Sequence, residues 1–138
     1  MLRLTAASYQ AMLSHLNTVY PEEGCGFLAG RNGRVIHHLA ITNADHSQTT
    51  FTMSAHEQVT AMLAIEEDGL ELLAIYHSHP HSAPYPSATD VARAYYPEAV
   101  QIIVSLLDPA RPLARGFYIQ NGRVTPVKLT VEAQSAGA

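Results

Sequence analysis

The sequence has a single cysteine, Cys25, and no tryptophan. One thiol excludes an internal disulfide framework and fits a compartment that keeps thiols reduced, so a cytoplasmic protein is expected. Charge is also scarce. Lys and Arg number 8 against 12 Asp and Glu, a formal net charge of −4 with neutral histidines. No basic patch able to neutralise phosphates stands out, which argues against a nucleic-acid partner. No uninterrupted apolar run approaches the roughly 20 residues needed to cross a bilayer, so no membrane partner is expected. The N-terminus, MLRLTAASYQ, lacks the sustained apolar core of a signal peptide. There is no internal repeat, low-complexity tract or evident linker. Residues 1–138 therefore read as one domain, with a small, polar tail over 133–138 expected to fray.

Apolar residues are plentiful, at 47%, which suits a packed core rather than a disordered chain. Their spacing suggests the elements. Ala6, Tyr9, Met12, Leu13, Leu16 and Val19 lie at helical intervals, predicting an amphipathic helix over Leu4–Val19 that Pro21 stops. Gly24 to Gly30 reads as a buried strand. Asn32-Gly33 is a hairpin signal, and Arg34 to Thr42 should pair back. Thr50 to Met53 is predicted as a short strand. Ser54 and Glu57 form a capping-box pattern opening a helix with Val59, Met62, Leu63 and Ile65 as its apolar stripe, closed by Gly69. Glu71 to Tyr76 (ELLAIY) is a nearly continuous apolar run, the mark of a central strand. A short helix is predicted from Ser87 to about Tyr96, then strands over Val100–Leu106, Leu113–Gln120 and Arg123–Val131. The last two are joined at Asn121-Gly122. Helices mixed with a largely antiparallel or mixed sheet give an α/β class.

Histidine is abundant, at 8 residues. His15, His37, His38, His46 and His56 are scattered and read as surface or hydrogen-bonded residues. The cluster His77-Ser78-His79-Pro80-His81 differs, because it ends the ELLAIY strand. Strand side chains alternate faces, so His77 and His79 project from the same face and can reach one metal ion. Asp90 follows eleven residues after His79 on the first turn of the next helix, behind a stiff proline loop. Two imidazole nitrogens and one carboxylate oxygen are a usual ligand set for catalytic zinc, with the fourth position left for water. A structural account coexists with this one: Ser87-x-x-Asp90 is also a helix-capping pattern.

A hydrolytic site of this kind needs a general base. Glu22 and Glu23 precede the first strand and face opposite ways on an extended chain, and the residues alone do not choose between them. Other chemistries fail on spacing. His56-Glu57 has no second histidine to complete His-Glu-x-x-His. A nucleobase deaminase needs Pro-Cys-x-x-Cys, and a serine hydrolase elbow needs Gly-x-Ser-x-Gly; neither occurs. Cys25 reads as a small buried hydrophobe, and His81 as a loop residue beside the cleft.

The segment HSHPHSAPYPSATD resembles the signature of the JAMM, or MPN-plus, metallopeptidases: His-x-His-Pro, six residues, then Ser-x-x-Asp. PEEGCGFLAG resembles the family's glutamate-bearing segment, Pro-x-Glu-x-Cys-Gly-x-Leu-x-Gly. The resemblance covers Pro21 to about Leu107. It implies a cytidine-deaminase-like α/β domain with a curved mixed sheet flanked by helices. It implies one zinc held by His77, His79 and Asp90, Glu23 as the catalytic general base, and Ser87 as a donor to the developing oxyanion. The compact length resembles prokaryotic members that cut peptide or isopeptide bonds at the C-terminal tails of ubiquitin-like or sulfur-carrier proteins. Two alternatives stand beside this: a non-catalytic MPN scaffold, and a DNA-repair-associated relative with a similar metal motif, which the acidic charge disfavours. Oligomeric state is open, a homodimer included. Tyr85, Tyr95 and Tyr96 are candidates either for a partner interface or for local packing around Pro84 and Pro86.

Overall fold

The computed structural model describes residues 1–134. The elements run β1 (Leu2–Leu4), α1 (Ala6–Val19), β2 (Cys25–Arg31), β3 (Arg34–Ile41), α2 (Ala55–Glu67), β4 (Glu71–His79), α3 (Ala88–Ala92), β5 (Val100–Ser105), β6 (Leu113–Gln120), β7 (Arg123–Val127) and β8 (Leu129–Val131). The strands form one sheet in the order β7-β6-β5-β4-β2-β3-β1-β8. It is mixed: β1 runs parallel to β3 and β8, and β4 parallel to β5, while the other pairs are antiparallel. Only Lys128 separates β7 from β8, yet these strands stand at opposite ends of the order. The sheet must therefore curl almost to closure. Leu129 of β8 comes so near β6 that a Cβ on Gly116 would lie 2.7 Å from its Cδ2. The chain thus adopts the expected α/β class, a curved mixed sheet flanked by helices. No helix among the described residues is long and apolar enough to cross a membrane.

Strand alternation sorts the core onto the two faces. Leu28, Ala74, Tyr76, Ile102 and Val104 face α1, where they meet Met12 and Leu16. Cys25, Phe27, Ala29 and Ile75 face α2 and meet Ala61 and Ile65. His77 and His79 share the parity of Ile75, so they belong to the α2 face. The register there depends on Gly26, beside the Cys25↔His77 pair. A Cβ at Gly26 would lie 2.5 Å from the Tyr76 ring and 2.6 Å from the Leu39 carbonyl oxygen. The backbone contact cannot swing aside, so Gly26→Ala is expected to cost about 1–3 kcal/mol, as overpacking usually does. Thermal unfolding checks this, with a fall of several degrees expected.

Several elements differ from the sequence-based expectation. The first helix begins at Ala6, not Leu4, because Leu2–Leu4 is a strand and Thr5 caps the helix, its Oγ1 accepting from the Ser8 amide. Thr50–Met53 is irregular and makes only an isolated bridge, Asn43↔Met53. In α2 the buried residues are Ala61 and Ile65, whereas Val59 and Leu63 of the expected stripe are 60% and 55% exposed. Ser54 caps α2, but the Glu57 carboxylate accepts from the Thr42 amide instead of completing a capping box, tying α2 to the end of β3. The third helix stops at Ala92 rather than near Tyr96. The expected Arg123–Val131 strand is broken at Lys128 so that its two halves serve opposite ends of the sheet. The expected frayed tail shows no regular structure at Ala133 and Gln134, and residues 135–138 lie outside the described residues.

Candidate metal centre

Strand β4 lies between β2 and β5, and its final residues bring His77 and His79 to the sheet's edge of pairing: His77 opposite Cys25 and Ile103, His79 opposite Ser105. Both imidazoles are buried. Nδ1 of His79 lies 2.9 Å from the Ala83 carbonyl oxygen. A carbonyl can only accept, so Nδ1 carries the proton and Nε2 of the neutral ring presents its lone pair to the site. The Phe51 ring stacks on His77 with centroids 4.5 Å apart, fixing its plane.

Asp90 closes the group from the first turn of α3. Its Oδ2 lies 3.2 Å from His77 Nε2 and 3.0 Å from His79 Nε2, and the two Nε2 atoms are 3.1 Å apart. The same Oδ2 accepts from the Ser87 amide at 2.9 Å, and the Ser87 hydroxyl oxygen accepts from the Asp90 amide at 3.0 Å. This reciprocal capping box holds the carboxylate in place. Burial opposes ionisation of Asp90, but the His77 and His79 rings against its Oδ2 hold its carboxyl well below the usual range. Burial keeps His77 neutral by pushing its pKa down. Burial also opposes the charged form of His79, but its bond to Asp90 outweighs that and raises the pKa.

Two imidazole nitrogens and a carboxylate oxygen converge there in an arrangement that a cation could occupy. A tetrahedral zinc with bonds of about 2.0 Å sets its ligand atoms about 3.3 Å apart. The observed edges of 3.0 to 3.2 Å are within a few tenths of an ångström of that face. His77, His79 and Asp90 are a group able to hold a metal ion. They fit zinc in both donor type and spacing.

Glu23 enters from the chain just before β2. Its backbone is clamped on three sides: its amide donates to Ser47 O at 2.8 Å, its carbonyl accepts from Asn43 Nδ2 at 3.0 Å, and the next residue, Gly24, is bonded in both directions to Ser78. Ser78 therefore points away from the ligands, as the alternation requires, and fastens β4 to the Glu23 segment. The Glu23 side chain is buried, and its Oε1 has no hydrogen-bond partner among the described residues. Burial pushes its pKa up to about 7; His79 opposes the rise, and the Asp90 and Asp45 carboxylates add to it. Glu22 instead points outward, its Oε1 3.3 Å from His46 Nδ1.

The remaining candidates lie outside the His77–His79–Asp90 group, although Tyr95 and Tyr96 line the cavity beside it. Cys25 is buried, donates to the Ile41 carbonyl, and has its thiol pushed up to about 12 by burial. His81 reaches Gln48 at 2.8 Å. Tyr96 packs on Phe27, Tyr85 packs edge-on against Phe117, and Tyr95 is 74% exposed. Sequence reasoning did not find Phe51, Asn43 or Arg93. Asn43 braces both Glu23 and the 43–52 loop, accepting at Oδ1 from Asp45 and Thr52. Beside the ligands opens a cavity of about 340 Å³ lined in part by Phe51, Ile75, His77, Asp90 and Arg93.

The family model for prokaryotic homologs of the JAB domain matches residues 5–116. The chain belongs to this family. Among JAB-domain relatives, the CysO-cysteine peptidase of Mycobacterium tuberculosis is 37% identical over 135 residues, covering 96% of this chain and 92% of that one. The desampylase of Haloferax volcanii is 36% identical over 111 residues, covering 75% and 80%. A solution structure of a Desulfitobacterium hafniense protein superposes with a TM-score of 0.88 at 32% identity, covering 97% of this chain and 94% of that one. A JAB1/MPN domain protein of Archaeoglobus fulgidus shares the fold, with a TM-score of 0.60 at 17% identity over 94% and 98% of the two chains. This JAB-domain chain is a hydrolase of the JAMM type.

Proposed function

We propose that the chain is a zinc peptidase that hydrolyses a peptide or isopeptide bond at the C-terminal tail of a sulfur-carrier or ubiquitin-like protein. The observation that carries the reading is the triangle of His77 Nε2, His79 Nε2 and Asp90 Oδ2, with edges of 3.0 to 3.2 Å, together with buried Glu23, whose Oε1 has no partner among the described residues and which feels the charges of His79 and Asp90. His77, His79 and Asp90 hold the ion. Zinc bound there supplies a Lewis acid that polarises the scissile carbonyl and acidifies a water nucleophile. Glu23, with a pKa raised to about 7, takes the proton of the attacking water and returns it to the leaving nitrogen. The Ser87 hydroxyl oxygen accepts from the Asp90 amide, which leaves its own proton free to donate to the developing oxyanion.

The substrate class follows the relatives, a CysO-cysteine peptidase and a desampylase. The single, buried, protonated cysteine supports a cytoplasmic setting. The test pairs metal analysis with turnover of a ubiquitin-like carrier extended past its C-terminal glycines. Roughly one zinc per chain and cleavage after the last glycine are expected, with activity abolished by chelation and restored by zinc. A zinc-loaded protein that leaves both linear and isopeptide-linked extensions intact would overturn the reading in favour of a scaffold.

A further inference from the structure

The cavity beside the triangle is small, about 340 Å³, and its lining is both apolar and polar. Its apolar lining includes Phe51, Met53, Ile75 and Ile119, and its polar lining includes His77 and Asp90. Among the described residues lining it, Arg93 alone carries a fixed positive charge. Arg93 caps the C-terminus of α3, the helix that carries Asp90. Its guanidinium reaches Thr52, whose Oγ1 accepts from Nη1 at 3.4 Å. Thr52 follows Phe51, whose ring stacks on His77. The guanidinium is thus held one residue from a ring that touches a ligand. Among the described residues no carboxylate lies within ion-pair distance of it. Arginine has five N–H donors in a planar fork suited to a carboxylate, and this one spends a single donor on a long contact.

A volume at the small end of ligand sites, which run from about 300 Å³ upward, admits one amino-acid residue and not a folded partner. We propose that the cavity receives the residue on the leaving side of the scissile bond as a free C-terminal residue, and that Arg93 determines this specificity by pairing with its α-carboxylate. The inference rests on the peptidase reading and narrows it. The favoured substrate is a carrier tail extended linearly by one residue. In an isopeptide the leaving nitrogen is separated from any backbone carboxylate by the whole lysine side chain, so Arg93 finds no partner there. Hydrolysis consumes one water. The C–N bond breaks, the carrier keeps the new carboxylate, and the leaving nitrogen takes the proton and departs as a free amino acid.

Two carrier substrates ending in Gly-Gly-Ala test this, one with a free C-terminal carboxylate and one amidated. The zinc-loaded wild type is expected to favour the free acid in kcat/KM by about tenfold or more, the scale of one charge-assisted pair. Arg93→Gln should erase that preference by raising KM for the acid while leaving the amide unchanged, and Arg93→Lys should keep part of it. A second readout needs no turnover: labelled Gly-Gly-Ala peptides, acid and amide, titrated into the wild type and Arg93→Gln by fluorescence anisotropy. Equal hydrolysis of acid and amide by the wild type, or equal losses on both in Arg93→Gln, would overturn the role of Arg93 and leave the peptidase reading standing. Preferential binding of the acid without hydrolysis of either substrate would overturn the peptidase reading and keep the carboxylate pocket. Neither hydrolysis nor preferential binding would overturn both.

Discussion

Glu23→Gln is expected to keep its metal and to lose hydrolysis by about 10²- to 10⁴-fold, the usual contribution of a positioned general base. The substitution changes almost nothing but the chemistry. Glutamine matches the shape of glutamate, and the cradle is made by backbone contacts with Ser47, Asn43 and Ser78 that no side-chain change at Glu23 removes. The amide cannot take a proton from water near neutral pH, whereas the glutamate, with a pKa raised to about 7, exchanges one readily. Metal analysis and initial rates on the extended carrier are the measurements. Glu22→Gln is the internal control. Glu22 faces His46 on the outside, so its neutralisation should leave both zinc and rate within about twofold, as an exposed ion pair contributes little. Full activity in Glu23→Gln would remove Glu23 from the mechanism.

The two glutamates also show where sequence reading stops. Alternation along an extended chain says that only one of them can face inward. Choosing between them takes either a family resemblance or the contacts that bury Glu23. The His-x-His spacing is more self-sufficient. A strand that ends a nearly continuous apolar run must project both rings from one face, and β4 continues through His79 rather than stopping at Tyr76. Both hairpins were legible for the same local reason. Asn32 and Gly33, then Asn121 and Gly122, all adopt positive φ at the centres of their turns, between 52° and 78°.

What was not legible depends on distant contacts. Strand β1 is three residues long, too short to show a period, and its partners β3 and β8 come from far along the chain. The Thr50–Met53 segment has strand-like composition, but Asn43 and Ser47 take up neighbouring backbone groups and fold it into a loop. That loop delivers Phe51 onto His77, a contact no spacing rule foretells. In α2 the helical period was right, and Met62 and Ile65 of the expected stripe pack on the core, but Val59 and Leu63 do not. A small alanine, Ala61, lets the helix sit close to the sheet beside Ile65, which turns Val59 and Leu63 outward. Helix α3 ends early because Arg93 already bonds back to Thr89 and Val91 as its cap, and Pro97 disfavours helical backbone at Tyr96.

On the proposed reading Asp90 serves as both metal ligand and helix cap, and substitutions should separate the two roles. Asp90→Asn keeps an oxygen that can accept from the Ser87 amide, so the capping box that starts α3 survives in part. It removes the negative charge from Oδ2, the atom that faces the two Nε2 atoms and also accepts from Ser87. Zinc affinity should fall by more than the roughly 10- to 100-fold that outer-shell changes cause, and hydrolysis should fall with it. Stability then distinguishes a lost ligand from a lost cap. Metal-free wild type and Asp90→Asn should unfold within about 1 kcal/mol of each other, whereas Asp90→Ala gives up the cap and about 1 kcal/mol more. Zinc at about a hundred times its dissociation constant should raise the wild type by about 2.7 kcal/mol. Under the same zinc concentration neither Asp90 variant should gain appreciably. An Asp90→Asn protein stabilised by zinc as strongly as the wild type would take Asp90 out of the ligand set and leave it a helix cap alone.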